Sequence, residues 1–265
     1  MKTLPLIILI TLAVMGCQPS DRKNISEEPI VNEASFIWKG DSLGNFYHSH
    51  SKILLPVAFD QTCTREAYFT LHHGIKTQNI YTDFADSVGT LSANKDSSTA
   101  EDISGKLGTI CFGPKRFNVI PRDNNTPDSI AGEISLDFFS GKEIMINFRE
   151  RKIKTCTDFR CVDSCKFDKY SIYMDSKMLI PVKINNQEYT FLLNPESALY
   201  VIFNPIDEPS EIAFCGKSWN VPDSRTVSDA NPAFHGILGL AFLKDKIMII
   251  RPEEKEFCVL NELPE

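Results

Sequence analysis

Short runs of alternating hydrophobic and polar residues occur throughout the chain after residue 50, and they predict β-strands. "LLPVAFD" near residue 55 is followed by a polar turn and then by "YFTLHHG". "LIPVKIN" near residue 180 is followed by the turn "NQE" and then by "YTFLLNPES". Each set predicts a strand, a tight turn and a second strand that runs into a loop. The pattern therefore predicts an all-β fold with two similar hairpins.

A second pair of similar segments follows the hairpins in the same order. Residues 131–148, "AGEISLDFFSGKEIMINF", resemble residues 235–250, "HGILGLAFLKDKIMII". The matched positions are Gly132 with Gly236, Leu136 with Leu240, and Phe138 with Phe242. Two matched pairs in the same order in both halves indicate an internal duplication. We therefore expect two related lobes, each with a short helical turn before a strand.

The N-terminal residues predict an export signal over residues 1–16. Lys2 supplies a positive start, and residues 4–15 are an almost unbroken apolar run. An apolar run this short is typical of a secretory signal rather than of a membrane span. "VMGC" is similar to the lipobox of bacterial lipoproteins, in which the cysteine becomes the lipidated N-terminus. We therefore expect lipid attachment at Cys17 and an exported protein anchored in the cell envelope, at the outer membrane.

The rest of the chain divides into four predicted parts. Residues 17–35 carry many charges without a periodic apolar face, which predicts a flexible tether. An N-terminal lobe over residues 36–155 and a C-terminal lobe over residues 170–265 follow. A cysteine-rich linker over residues 156–169 separates the two lobes. Each lobe would then be of ordinary domain size, about 100 residues.

Cysteine spacing follows the same repeat. Cys111 precedes Cys215 by 104 residues, and Cys156 precedes Cys258 by 102 residues. An exported protein rich in cysteine commonly forms disulfides. We therefore expect two equivalent bridges, Cys111–Cys156 and Cys215–Cys258, each stabilising the fold by about 3–4 kcal/mol through loop closure.

The linker contains two further cysteines, Cys161 and Cys165. They can pair with each other, which would leave Cys63 as a thiol. A zinc site on Cys156, Cys161 and Cys165 is the alternative, although the spacing is irregular and no histidine lies nearby. The sequence leaves the connectivity open.

The order of these motifs resembles the aspartic peptidases, both the bilobal pepsin type and the half-sized retropepsin type. In that family a hairpin runs into "DTGS", and a "GILG" segment follows later in the chain. "YTFLLNPESALYVIF" with "HGILGLAFLKDKIMII" resembles one lobe, and "YFTLHHGIKTQNIY" with "AGEISLDFFSGKEIMINF" resembles the other. The resemblance covers residues 50–155 and 175–260. It implies two β-barrel lobes related by a pseudo-twofold axis, with a cleft where the two loops meet.

The departures from the family pattern fall on its catalytic loops. Two aspartates normally share a proton across a water molecule, and the ionised one acts as the base. The resemblance places these positions at His72 and Asn194, neither of which is an acid. The following loop residues are His73 and Gly74 in the first lobe, and Pro195, Glu196 and Ser197 in the second. We therefore interpret the chain as a degenerate aspartic peptidase without its catalytic pair.

A protease-like cleft without catalytic acids predicts a binding function. We expect an extended peptide, or a segment of an envelope protein, to add as a strand in the cleft. The net charge of −7 argues against nucleic acid, because phosphate binding needs a basic face. The resemblance implies no cofactor and no metal, and we expect a monomer whose other partner is the membrane, through the lipid.

Three alternatives remain open from the sequence. A divergent peptidase could use His72 as a base with Glu196 as its acid. A metal site could form on His48, His50 and His72 if the first two lie beside the first loop. A purely structural surface lipoprotein is the third alternative. It is favoured if the polar segment of residues 84–105, in the position of the family's flap, fills the cleft.

Overall fold

A computed structural model describes most of the chain after residue 30. The described residues are 31–39, 52–59, 67–72, 78–88, 99–124, 126–157, 159, 165–174, 177–195, 197, 200–203, 211–221, 225–227 and 233–263. Within these ranges, none of the helices has both the length and the apolar character needed to cross a membrane.

Strands form most of the described structure. In chain order they are β1 (Asn32–Ser35), β2 (Ile37–Lys39), β3 (Lys52–Phe59), β4 (Ala67–His72), β5 (Asn79–Tyr81), β6 (Thr99–Leu107), β7 (Ile110–Ile120), β8 (Ile130–Ser135), β9 (Glu143–Asn147), β10 (Lys152–Cys156) and β11 (Asp168–Lys169). They continue with β12 (Ser171–Tyr173), β13 (Lys177–Ile184), β14 (Gln187–Leu193), β15 (Tyr200–Phe203), β16 (Glu211–Phe214), β17 (Lys217–Asn220), β18 (Arg225–Val227), β19 (Gly236–Leu238), β20 (Ile247–Arg251) and β21 (Glu256–Leu260). The helices are short: α1 (Thr82–Ser87), α2 (Leu240–Leu243) and a 3₁₀ helix over Leu136–Phe139.

The two lobes share one strand topology. In the first lobe, β3 and β4 form an antiparallel hairpin, β4 runs parallel to β8, β8 runs antiparallel to β5, and β5 runs parallel to β7. In the second lobe, β13, β14, β19, β15 and β18 repeat those pairings in the same order. The 3₁₀ helix after β8 corresponds to α2 after β19. The predicted all-β fold with duplicated lobes is therefore confirmed.

A six-stranded sheet joins the lobes in the order β1-β10-β9-β20-β21-β11. At its centre β9 pairs antiparallel with β20, so that Ile144 faces Ile250 and Asn147 faces Ile247. Ile144 and Asn147 correspond to Ile247 and Ile250 in the sequence repeat. Exchanging the lobes therefore maps each residue pair onto the other. This register places the predicted pseudo-twofold axis between the two strands.

Buried aromatic side chains fill both lobes and the space under the joining sheet. In the first lobe Phe69 is fully buried and stacks on Phe117 with ring centroids 5.6 Å apart. In the second lobe Phe214 stacks on Trp219 at 5.5 Å, and Phe242 packs edge-on against that indole at 5.8 Å. Because hydrophobic burial is the dominant stabilising contribution, these clusters hold each hairpin against its helical turn.

The N-terminal boundary of the folded part differs from the sequence prediction. Residues 32–35 lie in the predicted tether, yet they form β1 and pair with β10 in the joining sheet. Ala34 is 1% exposed, and Lys152 donates to the Glu33 carboxylate at 3.2 Å. A four-residue strand with one buried side chain has too weak an apolar period to be recognised in the sequence. The tether prediction is therefore wrong for these four residues.

The structure forms neither of the two predicted disulfide bridges, and none of the cysteines within its described ranges is disulfide-bonded. Cys111 is exposed on β7, whereas Cys156 is 2% exposed at the end of β10, so their side chains occupy different environments. The Cys215 thiol does lie near Cys258, because it donates to the carbonyl oxygen of the preceding residue, Phe257, at 3.5 Å. That bridge stays a prediction. Cys17, Cys63 and Cys161 lie outside the described residues.

Arg122 fastens helix α1 to the start of β8. Its guanidinium donates to both carboxylate oxygens of Asp83 at 2.8 Å. It also donates to the backbone carbonyl oxygens of Pro127 and Ile130, both at 2.7 Å. The planar fork of arginine matches this set of acceptors, which a lysine ammonium cannot reach together.

We expect Arg122→Ala to lower the free energy of unfolding by about 2–3 kcal/mol, because it removes four charge-assisted hydrogen bonds made by one guanidinium that is only 15% exposed. Urea unfolding followed by circular dichroism measures this loss. Arg116→Ala is the matched control: Arg116 is 67% exposed and pairs with Glu101 at 3.6 Å, so its removal should cost under about 1 kcal/mol. Equal losses in the two variants would contradict the fastening role of Arg122.

Candidate functional site

Strand register places His72 and Asn194 at equivalent positions of the two lobes. Ile53 pairs with Leu71 in the first hairpin, and Met178 pairs with Leu193 in the second. The next residue along each strand is His72 or Asn194. The neighbouring parallel strands agree, because Leu71 pairs with Ile134 and Leu193 pairs with Leu238. The ends of β4 and β14 are therefore the two halves of the candidate site.

His72 belongs to a chain of polar side chains in the first lobe. Its Nε2 lies 3.5 Å from Oε1 of Glu133, with both side chains 24% exposed. The same carboxylate accepts hydrogen bonds from the Asn79 amide and the Tyr81 hydroxyl, both at 3.3 Å. Asn118 in turn donates to the Asn79 carbonyl oxygen at 3.3 Å. The network fixes the Glu133 carboxylate from three sides.

Hydrogen bonding strongly favours the ionised form of Glu133. The His72 side chain is the main cause, and together with Asn79 and Tyr81 it lowers the pKa of the Glu133 carboxyl to about 2, although burial opposes the shift. Burial and the nearby Glu133 charge raise the pKa of the Tyr81 hydroxyl. Glu133 therefore stays charged under all mild conditions, and it acts as a hydrogen-bond acceptor and not as an acid.

The second loop is held by backbone hydrogen bonds. The Asn194 N–H donates to the Leu238 carbonyl oxygen at 2.9 Å, and the Ser197 N–H donates to the Asn194 carbonyl oxygen at 3.0 Å. The Leu240 N–H, at the start of α2, donates to the Ser197 carbonyl oxygen at 2.7 Å. Pro195 is buried within this turn. The turn can therefore accommodate a proline, which has no N–H to donate.

A cavity of about 20 Å³ lies between the lobes beside His72. The first lobe contributes His72, Ser135, Leu136 and Asp137 to its lining, and the second contributes Tyr170, Ile172, Met178 and Pro252. The Ser135 hydroxyl is buried and has no hydrogen-bond partner among the described residues. Burial and the Asp137 charge raise the pKa of the Tyr170 hydroxyl to about 12. The volume admits one water molecule.

Several predicted site residues lie outside the described residues: His48, His50, His73, Gly74 and Glu196. The metal alternative that used two of them is therefore untested. Across the described part of the chain, no group of three histidine, cysteine or carboxylate side chains could hold a metal ion. Within that part, the carboxylate that contacts His72 belongs to Glu133.

Comparison with solved structures identifies the fold. Conglutin gamma, a basic 7S globulin from lupine seeds, superposes with a TM-score of 0.55 at 8% sequence identity. Basic 7S globulin from soybean gives 0.55 at 9% identity, and each match covers 89% of this chain and 96% of the globulin. The fold is pepsin-like. No protein-family model matches the sequence, and no curated protein matches it.

His72 ends β4 and Asn194 follows β14, at equivalent positions of the two lobes. Sequence reasoning missed Glu133, Ser135 and Tyr170. The signal for the first two was present, because "AGEIS" has polar residues at alternate positions of a motif that is apolar in the other lobe, "HGILG". Alternate positions share one face of a strand.

Proposed function

We propose that this protein is an exported, lipid-anchored protein of the bacterial cell envelope whose interlobe cleft binds an extended peptide without cleaving it. The observation that supports the proposal is the register of β4 and β14, which gives His72 and Asn194 equivalent positions in the two lobes. Neither residue is a carboxylic acid, so the proton-sharing pair that activates water is missing at these positions.

The chemistry around His72 supports binding over hydrolysis. An amide such as Asn194 cannot accept a proton from water near neutral pH. His72 is engaged with Glu133, whose carboxylate is already occupied by Asn79 and Tyr81. The 20 Å³ cavity beside His72 is too small for a peptide bond to reach these groups without a change in the loops.

Strand β12 supports the mode of peptide binding. It pairs with β13 on one side, and no other pairing partner is found for it among the described strands. Ile172 lines the interlobe cavity and is 42% exposed, and Met174 just beyond the strand is 66% exposed. An apolar peptide could add to such an edge through backbone hydrogen bonds and side-chain contacts.

The cleft proposal is tested with the purified folded domain and a library of extended peptides. Mass spectrometry after incubation between pH 3 and pH 8 should show no cleavage, and fluorescence anisotropy should show saturable binding. Ile172→Lys should weaken binding at least about tenfold, or 1.4 kcal/mol. Ile37→Lys is the control, since Ile37 is 41% exposed on β2, the equivalent strand of the first lobe. Cleavage by the wild-type protein, or equal effects of both variants, would refute this mode.

A divergent peptidase is the second candidate, favoured by the His72–Glu133 pair. A histidine oriented by a carboxylate is a common general base. If this candidate holds, wild-type protein cleaves a peptide of the library and His72→Ala abolishes that cleavage. If His72→Ala leaves a trace activity unchanged, the activity comes from elsewhere.

Lipid anchoring is tested separately by expressing the full chain in a bacterial host. The mature protein should begin at a lipid-modified Cys17 and should fractionate with membranes. Cys17→Ser should release it from the membrane fraction. An unmodified N-terminus in the wild-type protein would remove the anchor from the proposal and leave the cleft binding to be judged on its own.

A further inference from the structure

A recess of about 310 Å³ lies on the outer face of the second lobe and shares no lining residue with the cavity between the lobes. Its floor is part of one row of paired residues that crosses four strands, β14, β13, β16 and β17. The next residues along β13 and β16 towards the N-terminus, Val182 and Ile212, are buried in the core, so the row faces solvent. In strand order the row consists of Glu188, Lys183, Ala213 and Ser218.

A small side chain in the middle of the row gives the outer recess its depth. Ala213 lies between Lys183 and Ser218. In the first lobe, the exposed side chain of Lys106 stands where the second lobe has Ala213, and Ala58 stands where it has Lys183. The outer recess is therefore a property of the second lobe and does not follow from the duplicated fold.

The segment before β11 forms a wall of the outer recess and is held by several contacts. The Asp168 carboxylate accepts a hydrogen bond from a backbone N–H in the turn between β16 and β17. Phe167 packs against the core, and the Arg251 Cζ lies 4.0 Å from its ring centroid. Lys166 lies over the same turn, because a Cβ atom at Gly216 would meet the Lys166 Cδ at 2.6 Å. A wall that is ordered beforehand reduces the entropy lost when a ligand binds.

Three lysines line the outer recess: Lys166, Lys183 and Lys217. Within the described part of the chain, none of their ammonium groups forms an ion pair. The chain as a whole has a net charge of −7, so three lysines without acidic partners at one place oppose its overall balance. The other charged lining residues are Asp168 and Glu188. Three ammonium groups and two carboxylates leave one excess positive charge, which attracts an anion.

We propose that the outer recess binds a sugar acid, either free or as a unit of a polysaccharide. Ammonium groups only donate hydrogen bonds, so the lysines need an anionic acceptor on the ligand. The carboxylates of Asp168 and Glu188 only accept, so they need a ligand group that donates, and a hydroxyl is such a group.

The size and the remaining lining of the outer recess fit the same class of ligand. Its volume lies at the lower end of the range for small-molecule sites, about 300–1,000 Å³. Pro181 and Ala213 supply apolar surface for the carbon atoms of a sugar ring. The single carboxylate of a sugar acid neutralises the one excess positive charge of the lining.

The proposal is tested by isothermal titration calorimetry of the purified protein with galacturonate, which should bind saturably at one site. Galactose lacks the acid group, and cyclohexanecarboxylate lacks the hydroxyls, so each should bind at least about tenfold more weakly. Trigalacturonate distinguishes the two sources of the ligand. Tighter binding of the trimer than of the monomer indicates a polysaccharide, and equal or weaker binding indicates a free sugar acid.

Three variants locate the site. Lys183→Ala should weaken the binding of galacturonate at least about tenfold, and Ala213→Leu, which fills the floor, should abolish it. Lys106→Ala is the matched control, because it removes an exposed lysine from the equivalent row of the first lobe and should leave the affinity unchanged. All three positions lie on the outer face of a sheet, and urea unfolding verifies that the variants keep their stability.

The proposal is overturned if neither galacturonate nor trigalacturonate binds saturably. Equal affinity for galactose or for cyclohexanecarboxylate would also overturn it, as would equal effects of Lys183→Ala and Lys106→Ala. Because the outer recess and the interlobe cavity have no lining residue in common, these results are independent of whether the cleft binds a peptide.

Discussion

Gly132→Ala should unfold the first lobe or lower the free energy of unfolding by about 4 kcal/mol, which is exceptional for a single methyl group. A Cβ atom at this position would lie 2.1 Å from the Asn79 carbonyl oxygen and 2.9 Å from the Ile80 Cα. Both atoms belong to the backbone of β5, which pairs with β8 at this point. A backbone contact cannot be relieved by a rotamer change, so the strand itself must move and lose its pairing.

Gly113→Ala provides the matched control for this prediction. Gly113 lies in β7 of the same lobe, and a Cβ atom there would meet nothing within 4 Å. We expect its effect on the free energy of unfolding to stay within about 0.5 kcal/mol. Urea denaturation of both variants, followed by tryptophan fluorescence and circular dichroism, gives the comparison. A Gly132→Ala variant as stable as Gly113→Ala would mean that the β5 backbone leaves room for a methyl group at position 132 of β8.

Gly132 also shows why the duplication could be predicted from the sequence. Its match to Gly236 is visible in the sequence itself, and at Gly132 the close approach of β5 leaves no room for a Cβ atom. The hairpins β3–β4 and β13–β14 were equally predictable, because their alternation and turn residues are local signals. The pseudo-twofold pairing of β9 with β20 then follows from two equal lobes.

Contacts between residues far apart in sequence could not be predicted. β1 is four residues long and is stabilised by β10, more than 100 residues later, so its own sequence carries almost no strand signal. The spacing of Cys111 and Cys156 copied that of Cys215 and Cys258, yet Cys111 is exposed on β7 while Cys156 is buried. Equal spacing in a repeat does not fix the direction of a side chain.

The candidate site was predicted only in part for a related reason. His72 and Asn194 could be singled out from the sequence, because each stands at the end of a recognisable hairpin. Glu133 was not predicted, because the sequence does not show which side chain on the neighbouring strand lies beside it. Its role comes from the parallel pairing of β4 with β8, which brings its carboxylate to His72. A polar residue at a position that is apolar in the other lobe can therefore indicate a contact with a polar side chain on a neighbouring strand.

Glu133→Gln should have the second largest effect, a loss of about 3 kcal/mol in the free energy of unfolding near pH 5. The folded-state pKa of Glu133 is about 2, against an ordinary value of 4.5, and the nearby His72 side chain is the main cause. A carboxyl whose folded-state pKa is lowered stabilises the fold at pH values above its unfolded-state pKa. That contribution should therefore be complete above pH 4.5 and should disappear as the pH falls from 4.5 to 2.

The pH dependence distinguishes this electrostatic role from simple packing. The difference between wild type and Glu133→Gln, measured by urea unfolding, should fall steadily from pH 5 towards pH 2. Glu101→Gln is the control, because Glu101 is 64% exposed in its pair with Arg116 and should give a small difference at every pH. A large Glu133→Gln loss that stays constant from pH 2 to pH 8 would mean that Glu133 acts through its shape and not through its charge.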